Sequence, residues 1–358
     1  MGFSDRINEL TAQLKGESAC LITSDVNRFY FTGFVSSFGF LLIGPTVRKF
    51  FTDNRYAVDA YINIADGIEI EIIDGSNYLN ILAKTIRKYN ISTLGIEEGG
   101  ITAQEWRKLQ LELKSGTKLF DISSFIATMR AVKDQNEIAA LRASAAICDE
   151  VFGLILKKVK YNMTEIDLAI EIEHQLRLAG ADGMSFPTIC AFGINSAKPH
   201  SKPTLKRLDK GDMILFDFGC IKDGYCSDFS RTVAFNQIKP ELKSIYNIVL
   251  GAQKHALNAI RAHMTTREAD SFAREFIKAN GYGDEFTHSL GHGIGLEIHE
   301  TPRVSQNSTE MLDSNMVISC EPGIYLNGIG GVRIEDVIVV GENGAINLTS
   351  APKELIIL

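Results

Sequence analysis

Apolar residues along the chain alternate between short continuous runs and longer stretches spaced at three and four residues. That interleaving predicts an α/β architecture. Residues 18–22, 38–43 and 47–52 read as buried strands, 53–65 as a helix and 69–73 as a strand. A helix follows over 79–88, with apolar positions at Leu79, Leu82, Ala83 and Ile86. Then come a strand over 93–96 and a helix through Trp106, Leu109 and Leu113. These elements predict a first α/β domain over residues 1–128, with no Gly-rich phosphate loop in it.

The texture changes near residue 130. Asp134 and Glu137 stand in capping-box spacing before a stripe of Ile138, Leu141, Ala145, Cys148, Val151, Phe152 and Ile155, which predicts a long helix. A second helix runs from Thr164 through Ile166, Ile170, Ile172 and Leu176 to Gly180. Beyond Ser185 the pattern becomes β-like over 189–192, 213–218, 231–235, 316–320 and 332–340, interrupted by helices over 240–263 and 266–280. One echo runs through it: an apolar strand delivers Asp217 and then Gly219, and another delivers Glu321 and then Gly323. Each is followed by a second acid-bearing strand, with Asp228 and Glu335. The second domain, 129–358, is therefore expected to be an α+β unit with an internal pseudo-repeat.

Composition narrows the class. Of 358 residues, 45% are hydrophobic and 23% charged, the balance of a globular protein. A net charge of −7 gives no electrostatic footing on phosphate backbones, so nucleic acid is not an expected partner. No apolar run reaches the length that spans a bilayer, so no membrane partner is expected. The start, Met1-Gly2-Phe3-Ser4-Asp5-Arg6, reads neither as an export signal nor as an acylation site. Six cysteines stand singly without a CxxC pair and read as reduced, buried thiols, which implies a cytoplasmic setting.

The chemistry concentrates in three stretches. Asp223-Gly224 is a turn signal that assigns Asp217 and Asp228 to neighbouring strands. An acid among Leu215, Phe216 and Phe218 needs a cation or suffers heavy desolvation. His288, His292 and His299 fall in one Gly-rich stretch. Gly291, Gly293 and Gly295 argue against a helical zinc motif, and the flanking pattern argues against a dinucleotide loop. The glycines read instead as a backbone allowing close approach to a metal or substrate. Arg333 and Glu335, two apart on a strand, face the same way; Asp336 faces the other and is the weaker candidate. Asp217, Asp228, His292, Glu321 and Glu335 together form an oxygen-rich set suited to two Mn²⁺-like ions rather than to a structural zinc. Without metals, four such carboxylates in one site would repel severely. His174, His255 and His263 sit on helical patterns and read as surface or packing residues.

These residues carry a resemblance. Residues 185–189 and 195–200, Asp217-Phe218-Gly219, residues 224–232, 288–300 and 321–325, and residues 331–336 come in the order of the pita-bread metallopeptidases, the group of Xaa-Pro aminopeptidases and Xaa-Pro dipeptidases (prolidases). The first domain is similar to that family's creatinase-like N-terminal domain, so the resemblance covers nearly the full chain.

The resemblance implies an enzyme holding two divalent ions, most simply Mn²⁺, with Co²⁺ or Zn²⁺ as alternatives. Asp228 and Glu335 would bridge them, Asp217 would bind one, and His292 and Glu321 the other. It further implies Glu321 as proton shuttle and His299 as donor to the scissile carbonyl. His200 and His288 would line the site, and Arg333 would orient the bridging carboxylates. The expected activity is release of the N-terminal residue from short peptides with proline second. The alternative is a prolidase restricted to X-Pro dipeptides, in which some group grips the free carboxylate. A metal-free binding module, or a creatinase-type hydrolase working without metal, shares the fold, but the complete ligand set argues against both. A homodimer is expected, with the first domain as the candidate dimerisation surface.

Overall fold

A computed structural model describes residues 2–74, 77–113 and 116–358. The chain divides into two compact units, Met1–Met129 and Arg130–Leu358.

The first unit runs α1 (Phe3–Ala12), β1 (Ser18–Ile22), α2 (Asp25–Thr32), β2 (Phe40–Gly44), β3 (Val47–Thr52), α3 (Ala57–Asn63), β4 (Glu69–Ile72), α4 (Tyr78–Lys88), β5 (Thr93–Ile96), α5 (Ala103–Leu113), β6 (Lys118–Asp121) and α6 (Ser123–Ala131). Six strands form one mixed sheet in the order β4-β3-β2-β1-β5-β6. Leu21, Leu42 and Phe51 of its inner strands pack with Leu82, Ile86 and Leu109 of α4 and α5. Of the helices α1, α2 and α6, which escape the apolar pattern, the first two each bury an arginine. Arg6 donates to the Tyr30 carbonyl at 2.9 Å, and Arg28 to that of Ser36 at 2.6 Å. The helix expected over 53–65 is shorter, because Asp53 and Arg55 pair with each other in the turn before α3.

The second unit opens with α7 (Gln135–Leu156) and α8 (Glu165–Leu178). Asp134 caps α7 through Asn136 and Glu137, whose carboxylate returns to the Asp134 N–H. Thr164 and Asp167 do the same for α8. Then follow β7 (Gly183–Met184), β8 (Ile189–Phe192), β9 (Met213–Phe218), β10 (Cys220–Lys222), β11 (Tyr225–Cys226) and β12 (Phe229–Ala234). α9 (Pro240–Ala259) and α10 (Thr266–Ala279) precede β13 (Gly291–Gly293), β14 (Glu300–Val304), β15 (Val317–Cys320), β16 (Gly323–Leu326), β17 (Gly330–Arg333), β18 (Asp336–Val340) and β19 (Ala345–Asn347).

The sheets that matter for the site are β12-β9-β8 and β14-β13-β15-β18-β19, with the β16-β17 ribbon beside them. α7 and α8 bury Phe152, Leu168 and Ile172 against Phe216, Phe218 and Phe229. α9 and α10 bury Ile245, Val249 and Ala273 against Ile318, Val332 and Ile338.

Two expectations are corrected here. The strand expected over 332–340 is two strands. The Ile334 N–H bonds the Pro322 carbonyl and the Glu335 N–H that of Ser230, so the chain leaves β16 at this point and joins β15. His263, expected on a helix, lies in a turn past the end of α9 with φ at 67°, and its Nε2 is 3.1 Å from Glu342. All six cysteines are buried and unpaired. Among the described residues no helix is long and apolar enough to cross a membrane.

Candidate metal centre

β9 and β12 pair antiparallel with Ser230 opposite Asp217, and Asp228 stands just before β12. The chain between them turns at Asp223 and Gly224, both with positive φ, the two-residue turn that the Asp-Gly pair predicts. β15 and the break after β17 supply Glu321 and Glu335. Asp217, Asp228 and Glu335 each offer one carboxylate oxygen, and these oxygens lie within 4.8 Å of one another. His292, on β13, brings Nε2 to 3.4 Å from Asp228 Oδ2 and 3.5 Å from Glu321 Oε1. The five residues named from the sequence therefore converge, although they are scattered over more than a hundred positions of the chain.

The electrostatics fit a cation site. Burial raises Asp217 to about 6, with Arg333 pulling it down and Asp228 pushing it up. Burial raises Glu321 to about 7, with His292 opposing and Asp228 adding. Burial and the Asp228 charge raise Glu335 as well. For His292 burial works downward, but the Asp228 and Glu321 carboxylates outweigh it and push the imidazole up to about 9. Glu335 Oε1 is buried with no hydrogen-bond partner among the described residues, while Oε2 accepts from Ser230 Oγ at 2.8 Å. An orphaned carboxylate oxygen facing other carboxylates is what a divalent cation relieves. The His292 Nδ1–H donates to the Gly293 carbonyl at 3.0 Å, which leaves Nε2 as the nitrogen that could ligate a metal.

Around this cluster a network fixes the acids. Arg333 reaches Asp217 Oδ2 at 2.5 Å, Ser230 Oγ at 2.9 Å and the Tyr325 hydroxyl at 2.8 Å. It also donates to the Pro199 carbonyl at 3.2 Å, tethering the segment of His200. His288 donates Nδ1–H to the Ser289 carbonyl at 2.9 Å and accepts the Tyr325 hydroxyl proton at Nε2, also at 2.9 Å. Burial, with Arg333 near, lowers His288 to about 3, so it is neutral. His299 is exposed and meets His292 edge to face, with centroids 4.4 Å apart; burial and His292 lower it. His200 is exposed, and its charge bears on both His288 and His299. Asp336 lies outside, held by Arg231 at 2.8 Å, Lys353 at 2.5 Å and Gln253 at 2.9 Å.

The glycines of the histidine stretch also serve the sheet. A Cβ on Gly291 would overlap the Ser319 carbonyl of β15, and one on Gly293 would overlap the Thr301 carbonyl of β14. They allow these neighbouring strands to come close.

Residues that the sequence left without a role also gather here. Tyr325 and Ser230 join the acids to Arg333. Arg303 stands opposite His292 across the β13–β14 pair, hence on the same face of the sheet. With Arg274, Ser305 and His288 it lines a polar cavity of about 420 Å³. Its only sequence signal is a long cation inside a short strand.

A mixed α/β chain that gathers four acids and a histidine, buried or half-buried, from separate strands has the make-up of a metallohydrolase. The comparisons narrow it further. The chain belongs to metallopeptidase family M24, whose model matches residues 139–342, and the creatinase/prolidase N-terminal domain model matches residues 6–132. It is 41% identical over 268 residues to the Xaa-Pro dipeptidase of Pyrococcus furiosus, covering 75% of this chain and 76% of that protein. The structure of the X-Pro aminopeptidase from Thermotoga maritima superposes with a TM-score of 0.93 at 36% identity, covering 99% of this chain and 100% of that one. The Xaa-Pro dipeptidase from Bacillus anthracis gives 0.95 at 37% identity, covering both chains fully. The protein is a pita-bread metallopeptidase of the Xaa-Pro type, and its family works with divalent metal ions.

Proposed function

We propose that this chain hydrolyses the X-Pro bond of short peptides, releasing the N-terminal residue, with Asp217, Asp228, His292, Glu321 and Glu335 holding two divalent ions. The observation that carries this reading is the convergence of Asp217, Asp228 and Glu335 oxygens within 4.8 Å, with His292 Nε2 between Asp228 and Glu321 and one Glu335 oxygen left unsatisfied. A hard, carboxylate-dominated set suits Mn²⁺, with Co²⁺ and Zn²⁺ as alternatives set by availability. When bound, such ions make a water nucleophilic near neutral pH and polarise the scissile carbonyl.

The protein's own groups do the rest. Glu321, set among the other acids and beside His292 Nε2, takes a proton from water and delivers it from a carboxyl oxygen to the leaving nitrogen. The prolyl nitrogen carries no hydrogen in the peptide, so that delivery is required for the ring to leave as an amine. His299 is neutral, exposed and set against His292, and its ring N–H serves as donor to the carbonyl oxygen as charge develops there. Both ring nitrogens of His288 are engaged within the protein, so it acts as a fixed wall of the cavity. His200 lies close enough for its charge to bear on His288 and His299. Arg333 aims Asp217 and, through Ser230, Glu335.

Substrate length divides two readings. The aminopeptidase reading, with longer peptides admitted, is supported by the full-length likeness to the Thermotoga enzyme. The dipeptidase reading is favoured by Arg303, a guanidinium beside His292 that lines the polar cavity and suits a free prolyl carboxylate. Assaying X-Pro against X-Pro-Y with added Mn²⁺ and with EDTA tests both. Arg303→Ala raises KM for the dipeptide alone if the second reading holds. Activity that survives complete chelation, or an Asp228→Asn variant as active as the parent, overturns the metal centre. The unpaired thiols fit a reducing, cytoplasmic setting, and a homodimer completes the proposal, to be read by static light scattering.

A further inference from the structure

Beside the metal centre lies a second buried charge cluster that the scheme above leaves unused. Glu300 directly follows His299, and its side chain is 5% exposed. Its carboxylate takes the Arg130 guanidinium, Lys133 Nζ at 3.1 Å and the Glu297 backbone N–H at 3.1 Å. Lys133 is 1% exposed, and Arg130 also reaches Glu297 at 2.8 Å. Burial works against the charge on Glu300, but the two cations overcome it and keep the group below the ordinary carboxylate range.

The cluster occupies the loop that presents His299. β13 and β14 are joined by residues 294–299, which have no regular structure, and the pair Gly293–Glu300 closes the loop at its base. The Glu300 carboxylate folds into the loop so closely that a Cβ on Gly295 would overlap it. The Gly295 N–H bonds the Glu297 carbonyl at 3.1 Å, and the Gly295 carbonyl accepts from the Cys226 N–H at 2.8 Å. The His299 ring, by contrast, makes no hydrogen bond among the described residues and rests only its edge on His292. Its direction is therefore set by the backbone beneath it. Removing the acid would leave two desolvated cations facing each other, so the cluster resists any other loop shape.

We propose that Glu300, clamped by Arg130 and Lys133, is the positioning residue for His299, fixing the loop so that the imidazole faces the reacting carbonyl. The proposal rests on the reading of His299 as that carbonyl's donor. A misplaced donor costs rate without costing ground-state binding.

The test is a double-mutant cycle of Glu300→Gln and His299→Ala, followed by steady-state kinetics on an X-Pro substrate and by calorimetric titration with Mn²⁺. Glu300→Gln is expected to lower kcat on the order of 10–100-fold with KM little changed, the size of effect expected when a donor loses its geometry. Mn²⁺ binding stays as in the parent, and in the His299→Ala background Glu300→Gln costs nothing more. Should Glu300→Gln fail to fold, Lys133→Gln takes its place in the cycle, with a smaller loss of the same kind. Losses that add in the double variant, or weakened Mn²⁺ binding by the single one, would show that Glu300 acts on the fold or the metal centre and overturn the positioning role alone. A His299→Ala variant as active as the parent would remove the donor role itself, and this proposal with it.

Discussion

Glu335 shows at the scale of one residue how function opposes stability. One of its oxygens bonds Ser230 and the other has no partner, in a pocket where Asp217 and Asp228 add their charge. Glu335→Gln is therefore expected to stabilise the metal-free protein, by about 1–3 kcal/mol if the amide finds a partner, while abolishing the gain in Tm on adding Mn²⁺. Thermal melts with and without the ion check both signs; a metal-induced gain equal to the parent's would refute the role. The sign of the pH effect follows from the same groups. Carboxyls raised in the fold, Asp217 to about 6 and Glu321 to about 7, favour the folded state at low pH and lose that contribution as pH rises through those values. His292, raised to about 9, works the same way, contributing fully below its unfolded value and losing it as pH climbs through 9. In EDTA the Tm should thus fall between about pH 5 and 9 as far as this centre controls it, whereas Mn²⁺ affinity should rise over the same interval because the ion displaces those protons. Calorimetry across that range checks it, and affinity independent of pH would contradict the assignment.

Elements position these residues, and some were legible in the chain while others were not. The cap of α7 was legible because a capping box is local chemistry, complete within four residues; Asp134→Ala should cost about 1 kcal/mol in urea unfolding. The β10–β11 turn was legible for the same reason. α1 and α2 were hidden because Arg6 and Arg28 interrupt their apolar faces yet are buried by carbonyls from elsewhere. The break between β17 and β18 was hidden because Ile334 and Glu335 bond Pro322 and Ser230, partners that no local pattern announces. The Gly-rich stretch gives room to neighbouring strands, a role that its residue types did not announce. Gly291→Ala, which drives a methyl into the Ser319 carbonyl, should lower Tm and weaken Mn²⁺ binding together, since β13 carries His292. Loss of neither would show that the strand can shift freely.

At the scale of the whole molecule, the proposed centre would couple segments far apart in the chain. Ions held by residues of β9, β13, β15 and the β17–β18 break would bind the folded state and not the unfolded one, so stability should follow the ion's free concentration. A hundredfold excess over Kd corresponds to about 2.7 kcal/mol per site, visible as a concentration-dependent Tm. A Tm indifferent to Mn²⁺, Co²⁺ and Zn²⁺ alike would rule out a centre that spans these strands.

What the sequence determined alone was whatever short-range physics or a motif's residue types can encode: the alternation of strands and helices, the helix caps, the Asp-Gly turn, and the identity of five metal-ligating candidates. The resemblance extended that to the family. The tertiary structure alone decided that Ser230 and Tyr325 join those acids to Arg333, that Arg303 faces His292, and that Glu300 fills the loop of His299. The reason is physical. A cap or a turn satisfies backbone groups within a few residues, whereas a buried charge is satisfied by whatever partner the fold brings beside it, and that partner's distance along the chain carries no signal.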